Sequence, residues 1–259
     1  MKGVRLADYH RLPLETAFES AGMRSFYHYF PLMMALSEST IELRVESTPT
    51  GHRVWVSDTE LYCRPVYAKI PKSVKKIWVS TVRPPMTWKP ELYDVNFIYD
   101  LKETLQIKNF RKNVQRFLKE HPDAYYTEAG PIGATEVVEA WYKRNKQQEY
   151  YDFGYTMWLA GFFGLFEDLR ARLVKVAGAP VAFSLWGQID NQTAIHLICK
   201  DLGWPYLQDY ARYMTYEEML EQGFTEVNDG GDAGLHGLRV YKLKLRPKLI
   251  IPIYSWVKR

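Results

Sequence analysis

Phe224-Thr-Glu-Val-Asn-Asp-Gly-Gly-Asp-Ala-Gly-Leu-His-Gly-Leu-Arg-Val-Tyr-Lys-Leu-Lys-Leu-Arg-Pro247 starts as an apolar strand and passes at once into polar side chains and four glycines. Glycine lets a backbone turn sharply or be approached closely, so Asn228, Asp229 and Asp232 follow the strand in a loop built like a site rather than like a core. The same residues also suit an Asx-type turn, in which Asn and Asp bond their own backbone. Downstream, residues 238–243 read as a short helix or a bend, and Arg239 and Lys242, three apart, fall on one side of a helical turn.

Working back from the loop, Gly223 is placed to cap a helix over residues 206–222, whose Tyr210, Tyr213, Met214, Glu217 and Leu220 are spaced for one face. Before it, Leu173-Val-Lys-Val-Ala, Val181-Ala-Phe-Ser-Leu-Trp-Gly-Gln-Ile and Thr193-Ala-Ile-His-Leu-Ile-Cys alternate between turn residues, which predicts three consecutive antiparallel strands. Helices are expected over 156–172, 134–148 and 108–120. The last puts Phe110, Val114, Phe117 and Leu118 on one stripe, with Lys108, Arg111, Lys112, Asn113, Arg116 and Lys119 around it. Asp94-Val-Asn-Phe-Ile-Tyr-Asp100 is a short extended piece, and Arg83-Pro-Pro-Met-Thr-Trp-Lys-Pro90, rich in proline, reads as a linker.

Further towards the start, helices are expected over 14–21 and 26–36. Ile41-Glu-Leu-Arg-Val-Glu and Arg53-Val-Trp-Val-Ser flank the turn Thr48-Pro-Thr-Gly51 as a hairpin, with strands at 60–66 and 77–82. A final strand covers Leu249-Ile-Ile-Pro-Ile-Tyr-Ser-Trp256. The sum is α+β.

The 259 residues, 47% hydrophobic, are enough for one large domain or two small ones. No apolar run approaches the ~18 residues of a spanning helix, and the opening residues lack the apolar core of a signal peptide, so a cytoplasmic protein is expected. Cys63 and Cys199 are far apart and suggest neither zinc site nor disulfide; no metal is expected. The net charge of +4 is mild, but the cations cluster at 69–76, 102–119, 143–146 and 239–248, which suits an anionic partner such as tRNA or DNA as well as a solvated surface. The 19 Tyr and 8 Trp suit base stacking or an ordinary core.

The element order resembles the GCN5-related N-acetyltransferase (GNAT) fold. Asp94-Val-Asn-Phe-Ile-Tyr-Asp100 with Ile107-Lys-Asn-Phe-Arg-Lys-Asn-Val-Gln-Arg-Phe-Leu-Lys-Glu-His-Pro122 is similar to the pattern Asp-Tyr-Ile-Tyr-Asp … Lys-Arg-Asn-x-Ile-x-x-Phe-x-x-x-x-Pro of the phosphatidylglycerol lysyltransferase C-terminal domain family, of DUF2156 type. Asn228-Asp-Gly-Gly-Asp232 with Gly237-Leu-Arg-x-x-Lys-x-x-x-x-Pro247 is similar to its second signature. The resemblance covers about Tyr93 onward. It implies a GNAT-like fold, with a mixed, mainly antiparallel sheet flanked by helices, over residues 89–259. Residues 1–88 would hold helices and a hairpin, as a reduced first copy of a tandem pair.

Enzymes similar to this family move an aminoacyl group from charged tRNA onto a lipid, a peptidoglycan precursor or a protein end, so the resemblance implies transferase chemistry. It raises Arg239 and Lys242 above the other basic residues and marks Asn113 for a structural or substrate hydrogen bond. The chain departs from simple acetyltransferases at Lys200-Asp-Leu-Gly-Trp-Pro-Tyr-Leu207, which lacks their Gln/Arg-x-x-Gly-x-Gly/Ala loop for acetyl-CoA. The donor is therefore an aminoacyl-tRNA, or an acyl-CoA held differently, with no covalently bound cofactor.

Acyl transfer requires an acceptor proton to be removed and a tetrahedral anion to be stabilised. Asp229, Asn228 and Lys242 are the candidate catalytic groups, the first two as proton acceptor or ammonium ligand. Arg239, Asp232, Lys108, Arg111, Asn113, Arg116, Asp209 and Tyr210 are candidate substrate ligands. His236 is a reserve base, and His196, inside an apolar strand, reads as a core histidine. Two other functions fit the basic helix: a transferase acting on nucleic-acid bases, for instance with an amino acid on phage DNA, and a non-catalytic module binding nucleic acid or protein.

Overall fold

The computed structural model describes residues 3–259 apart from 22, 24, 64, 66, 67, 83, 84 and 146–151. Two compact units share the chain: Met1–Asn96, Gly231–Leu235 and Ile250–Arg259 form the first, Phe97–Gly230 and His236–Leu249 the second.

The first unit runs β1 (Val4–Arg5), α1 (Arg11–Ser20), α2 (Phe30–Ser39), β2 (Arg44–Thr48), β3 (Gly51–Ser57), β4 (Glu60–Cys63), β5 (Lys76–Ser80) and most of β6 (Trp88–Asp100). α1 buries Leu14 and Phe18, four apart, and α2 carries Pro31 in its first turn, where the missing N–H costs nothing. The hairpin forms at the expected turn, Thr48 opposite Gly51, with the Thr48 hydroxyl donating to the Gly51 carbonyl at 2.9 Å. The described pairings are antiparallel except β4 with β5, which is parallel. Trp55, Leu61, Val74, Ile77 and Trp256 fill the core.

The second unit takes the end of β6 and continues with α3 (Leu101–Leu105), α4 (Lys108–Glu120), β7 (Tyr125–Glu128), α5 (Pro131–Arg144), α6 (Phe153–Phe162), β8 (Arg170–Val176), β9 (Ala179–Gln188), β10 (Thr193–Asp201), α7 (Leu207–Glu221), β11 (Glu226–Asn228) and α8 (His236–Lys244); β12 (Leu249–Lys258) then returns to the first unit. Its strand order is β6-β11-β10-β9-β8-β7, antiparallel except for β10 with β11. Val114 and Phe117 of α4 and Leu207, Tyr210 and Ala211 of α7 pack with Val174, Val176, Val181 and Ala182 of the sheet. Each fully buried side chain of this size contributes roughly 1.5–3 kcal/mol.

Each unit therefore repeats one order: an edge strand, two helices, a three-stranded meander, a crossing to a parallel strand, and a last antiparallel strand. The last strands are exchanged, because β12 pairs with β5 and the end of β6 pairs with β11. In the second unit the crossing is α7; in the first it is residues 64–75, whose described members form no helix.

Several expectations need correction. The helix expected over 156–172 ends at Phe162, passes through a 3-10 turn at Phe163–Leu165 and becomes strand at Arg170. Gly161 and Gly164 weaken the helix, and alternation resumes with Ala171 and Leu173 buried. The linker expected at 83–90 already forms strand from Trp88; Arg83 and Pro84 lie outside the described residues, and Pro90 sits exposed where a strand tolerates it. The helix expected over 134–148 starts earlier, with Pro131 at its first position, and ends at Arg144; residues 146–148 lie outside the described residues. β4 ends at Cys63, with 64 and 66 also outside them. Leu118 falls off the buried stripe of α4 at 38% exposure. Over 238–243 the chain is helical, as part of α8.

Candidate active site

Strands β10 and β11 lie parallel for three residue pairs, Thr193 with Glu226 to Ile195 with Asn228, and then part. β10 continues to Asp201 through an irregularity at His196, whereas β11 stops and the chain turns. The turn is Asx-like: the Asn228 Oδ1 accepts from the Gly230 N–H at 3.0 Å, and Gly230 has φ +63°. Asp229 is fixed by its own amide, which donates to the Phe97 carbonyl at 3.0 Å.

Its carboxylate lies where the strands diverge and collects three partners. His196 Nδ1 is 2.9 Å from Oδ1, the Arg212 guanidinium of α7 bonds Oδ2, and the Lys242 ammonium of α8 is 3.4 Å from Oδ2 and also bonds the Asp229 carbonyl. All four side chains are 5% exposed or less. Tyr99 secures α8 from below, its hydroxyl donating to the Lys242 carbonyl at 3.0 Å.

Burial would raise the Asp229 pKa, but the Arg212 and Lys242 charges and the His196 bond outweigh it and hold the carboxyl well below the ordinary carboxylate range. A group so acidic is a poor proton acceptor, so its geometry suits a charge hub. Burial lowers the His196 pKa despite the Asp229 bond, which leaves a neutral ring with its proton on Nδ1, facing Asp229. Nε2 then accepts the Ser184 hydroxyl at 2.7 Å. Ser184, His196 and Asp229 have the connectivity of a nucleophile triad, but Ser184 is 2% exposed and also bonds Thr215 at 2.8 Å. The series is a buried polar brace between sheet and α7.

A second cluster adjoins it. Asp209, in the first turn of α7, accepts from Asn113 Nδ2 of α4 at 2.7 Å and from the Tyr241 hydroxyl at 2.8 Å. Burial, with the Asp209 charge, pushes the Tyr241 phenol well above its ordinary pKa, so it stays a donor. The Tyr241 ring also faces the Arg212 guanidinium at 5.4 Å, which joins the two clusters. Just before α7, Tyr206 is left-handed at φ +62°, a costly state for an aromatic residue, and Arg116 of α4 lies over its ring at 5.5 Å.

Of the residues singled out from sequence, Asp229 and Lys242 meet at the hub, Asn228 holds the turn beside it, and Asn113 and Asp209 meet in the adjoining cluster. Lys108, Arg111 and Arg116 are exposed on α4, and Arg239 is exposed on α8, away from the buried Lys242. Tyr210 is core, stacked on Phe117 at 4.9 Å. Asp232 lies in the first unit, its Oδ1 accepting from the Gly234 amide at 3.0 Å. His236, exposed, begins α8. His196 is buried as expected of a core histidine, yet it belongs to the hub. Arg212, Ser184, Thr215 and Tyr241 were not singled out. The available signal was Asp209 and Arg212, two charges on the otherwise buried face of a helix.

No family model and no curated protein matches the sequence. Solved structures do. A conserved protein of unknown function from Bacteroides thetaiotaomicron superposes with a TM-score of 0.78 at 17% identity, over 98% of both chains. The C-terminal DUF2156 domain assigned to a lysylphosphatidylglycerol synthetase of Agrobacterium fabrum gives 0.67 at 11% identity, over 96% of this chain and 93% of that one. This chain has the DUF2156 fold. A tandem GNAT protein from the clavulanic acid biosynthesis pathway gives 0.50 at 11% identity, over 98% and 96%, so the repeated order of elements in this DUF2156 fold has a GNAT counterpart.

Proposed function

We propose that the chain is a transferase that moves an aminoacyl group from an ester donor, a charged tRNA, to an amine or hydroxyl acceptor. The observation that carries this reading is the Asp229 hub at the divergence of β10 and β11, in a fold shared with a domain assigned to a lysylphosphatidylglycerol synthetase. In such a transfer the acceptor's lone pair attacks the ester carbonyl, the C=O pair moves onto oxygen, and collapse breaks the ester C–O bond while the acceptor proton passes to the leaving oxygen. Arg212 and Lys242, fixed in a low-dielectric interior, would act on the developing oxyanion through their field rather than by contact, without reorganising. Asp229 holds both cations in place, and Asn113, Asp209 and Tyr241 hold α4 and α8 against α7.

An ester is favoured over acyl-CoA by the start of α7. The Gly203 amide is already bonded to Asp201 Oδ1 at 2.6 Å, Arg144 bonds the Leu202 carbonyl, and Asp209 occupies the first turn. A carboxylate in the first turn of α7 repels a pyrophosphate, and the Gly203 amide before it is already taken by the Asp201 carboxyl. The exposed cations Lys108, Arg111, Lys112, Arg116 and Lys119 suit the phosphates of an RNA stem. The test offers tRNA charged with a labelled amino acid, and separately acetyl-CoA, with amine and hydroxyl acceptors. Acceptor-dependent loss of the labelled ester without release of CoA thiol is expected; consumption of neither donor would overturn the transferase reading.

A further inference from the structure

Among the described residues, the outer strand of the second unit, β7, is bordered on one side only, by β8. The Ala129 amide donates to the Ala171 carbonyl at 3.0 Å. Alternation along an antiparallel pair then turns the backbone N–H and C=O of Thr127 and Tyr125 towards β8 and those of Tyr126 and Glu128 outward. An open row of this kind is a template for a further strand.

Beside this edge lies a groove of about 430 Å³ between β7, β8 and the end of α7. Its charged groups are Glu128, Arg172, Glu217, Glu218 and Glu221. Arg172 is engaged with Glu218, its Nε 3.2 Å from Oε2, and reaches Glu128 at 3.7 Å. Glu217 and Glu221 take part in no ion pair among the described residues. Both choices oppose the helix that carries them: like charges four apart repel, and the last turn of α7 holds acids and no base, against the helix dipole. Burial, then Glu221, pushes the Glu217 carboxyl up. A sequence that breaks local rules without internal compensation points to an outside partner of opposite charge.

We propose that the β7 edge docks an extended segment of another protein bearing Lys or Arg at alternate positions. The segment would add a strand beside Tyr126 and Glu128 and direct every second side chain into the groove, against Glu217 and Glu221. A second copy of this chain is a poorer occupant, since its β7, Tyr125–Glu128, carries no Lys or Arg and would bring a second acidic groove beside the first. The surface is independent of the Asp229 hub and of the transferase reading.

The probe is a fluorescent, end-capped peptide Thr-Lys-Thr-Lys-Val-Lys-Thr-Lys, titrated with the full chain. Saturable, salt-sensitive binding is expected. Glu217→Lys with Glu221→Lys should weaken it about tenfold or more, from the loss of two charge contacts. Glu128→Pro removes an outward N–H while sparing the bonds to β8, and should abolish binding with Tm retained. If that variant fails to fold, the charge-reversed pair and a peptide of the same composition with contiguous lysines decide. Equal binding of the contiguous peptide or of spermine would overturn strand docking in favour of a general cation patch. No peptide binding, or a dimer that Glu128→Pro dissociates, would overturn it as well.

Discussion

The two units differ most where their shared order is crossed. In the first, β4 and β5 pair in parallel from Glu60 with Lys76 to Cys63 with Val79, where the described part of β4 ends, and the core beneath includes Trp55, Ile77 and Trp256. In the second, α7 makes the crossing, β10 and β11 part after three pairs, and the gap is filled by His196, Asp229, Arg212 and Lys242. The strand frame can be kept with an apolar core. The crossing helix is what brings in Asp209, Arg212 and Thr215, and with them the buried charge.

The sharpest way to break this contrast is to remove the hub's anion. Asp229→Ala leaves two buried cations without it and should cost about 3–5 kcal/mol in denaturant unfolding. Adding Arg212→Met and Lys242→Met should restore most of that stability, because apolar replacement of a buried ion network is often neutral. If the single variant is as stable as the parent, the hub is not a structural charge centre.

Acid should act on both units next, because burial lowers the pKa of His196 in the second unit as it lowers that of His28 in the first. His28 of the first unit is lowered from 6.5 to about 3 by burial, so its contribution is in place above pH 6.5 and is lost as the pH falls towards 3. Asp229 is depressed too, so its contribution persists above the ordinary carboxylate pKa of about 3.9 and is lost only below it. His28→Leu should reduce the fall in stability between about pH 6.5 and 3, the remainder belonging to His196; an unchanged slope there would assign the acid sensitivity elsewhere.

Smaller effects test the glycines. A Cβ on Gly231 would lie 1.9 Å from Asp94 Oδ2, so Gly231→Ala should cost about 1–3 kcal/mol. Gly223→Ala, at φ +95° after α7, should cost about 1 kcal/mol by thermal melting. Smallest of all, Arg239→Ala, exposed on α8, should change stability by less than about 0.5 kcal/mol.

Much of this contrast was legible in the chain. Period-two runs at 173–199 announced β8 to β10, the Asn228-Asp-Gly-Gly turn marked the end of β11, and Phe110, Val114 and Phe117 showed the inner face of α4. What could not be read was convergence. Arg212 reaches Asp229 only because α7 folds back over the sheet, and Lys242 turns inward while Arg239, three residues earlier, stays in water. The strand exchange between β6 and β12 was hidden for the same reason, since pairing partners distant in sequence leave no local period. The Phe-rich run before Arg170 misled because an apolar run serves helix and strand alike.

The central claim, that the hub at the α7 crossing supports group transfer, is tested most directly by single-turnover transfer from charged tRNA in the parent and in Arg212→Met, with near-UV circular dichroism confirming the fold. The account predicts a rate loss of about a hundredfold or more, of the size expected when a preorganised charge facing an oxyanion is removed. A folded Arg212→Met protein that transfers at the parent rate would contradict it.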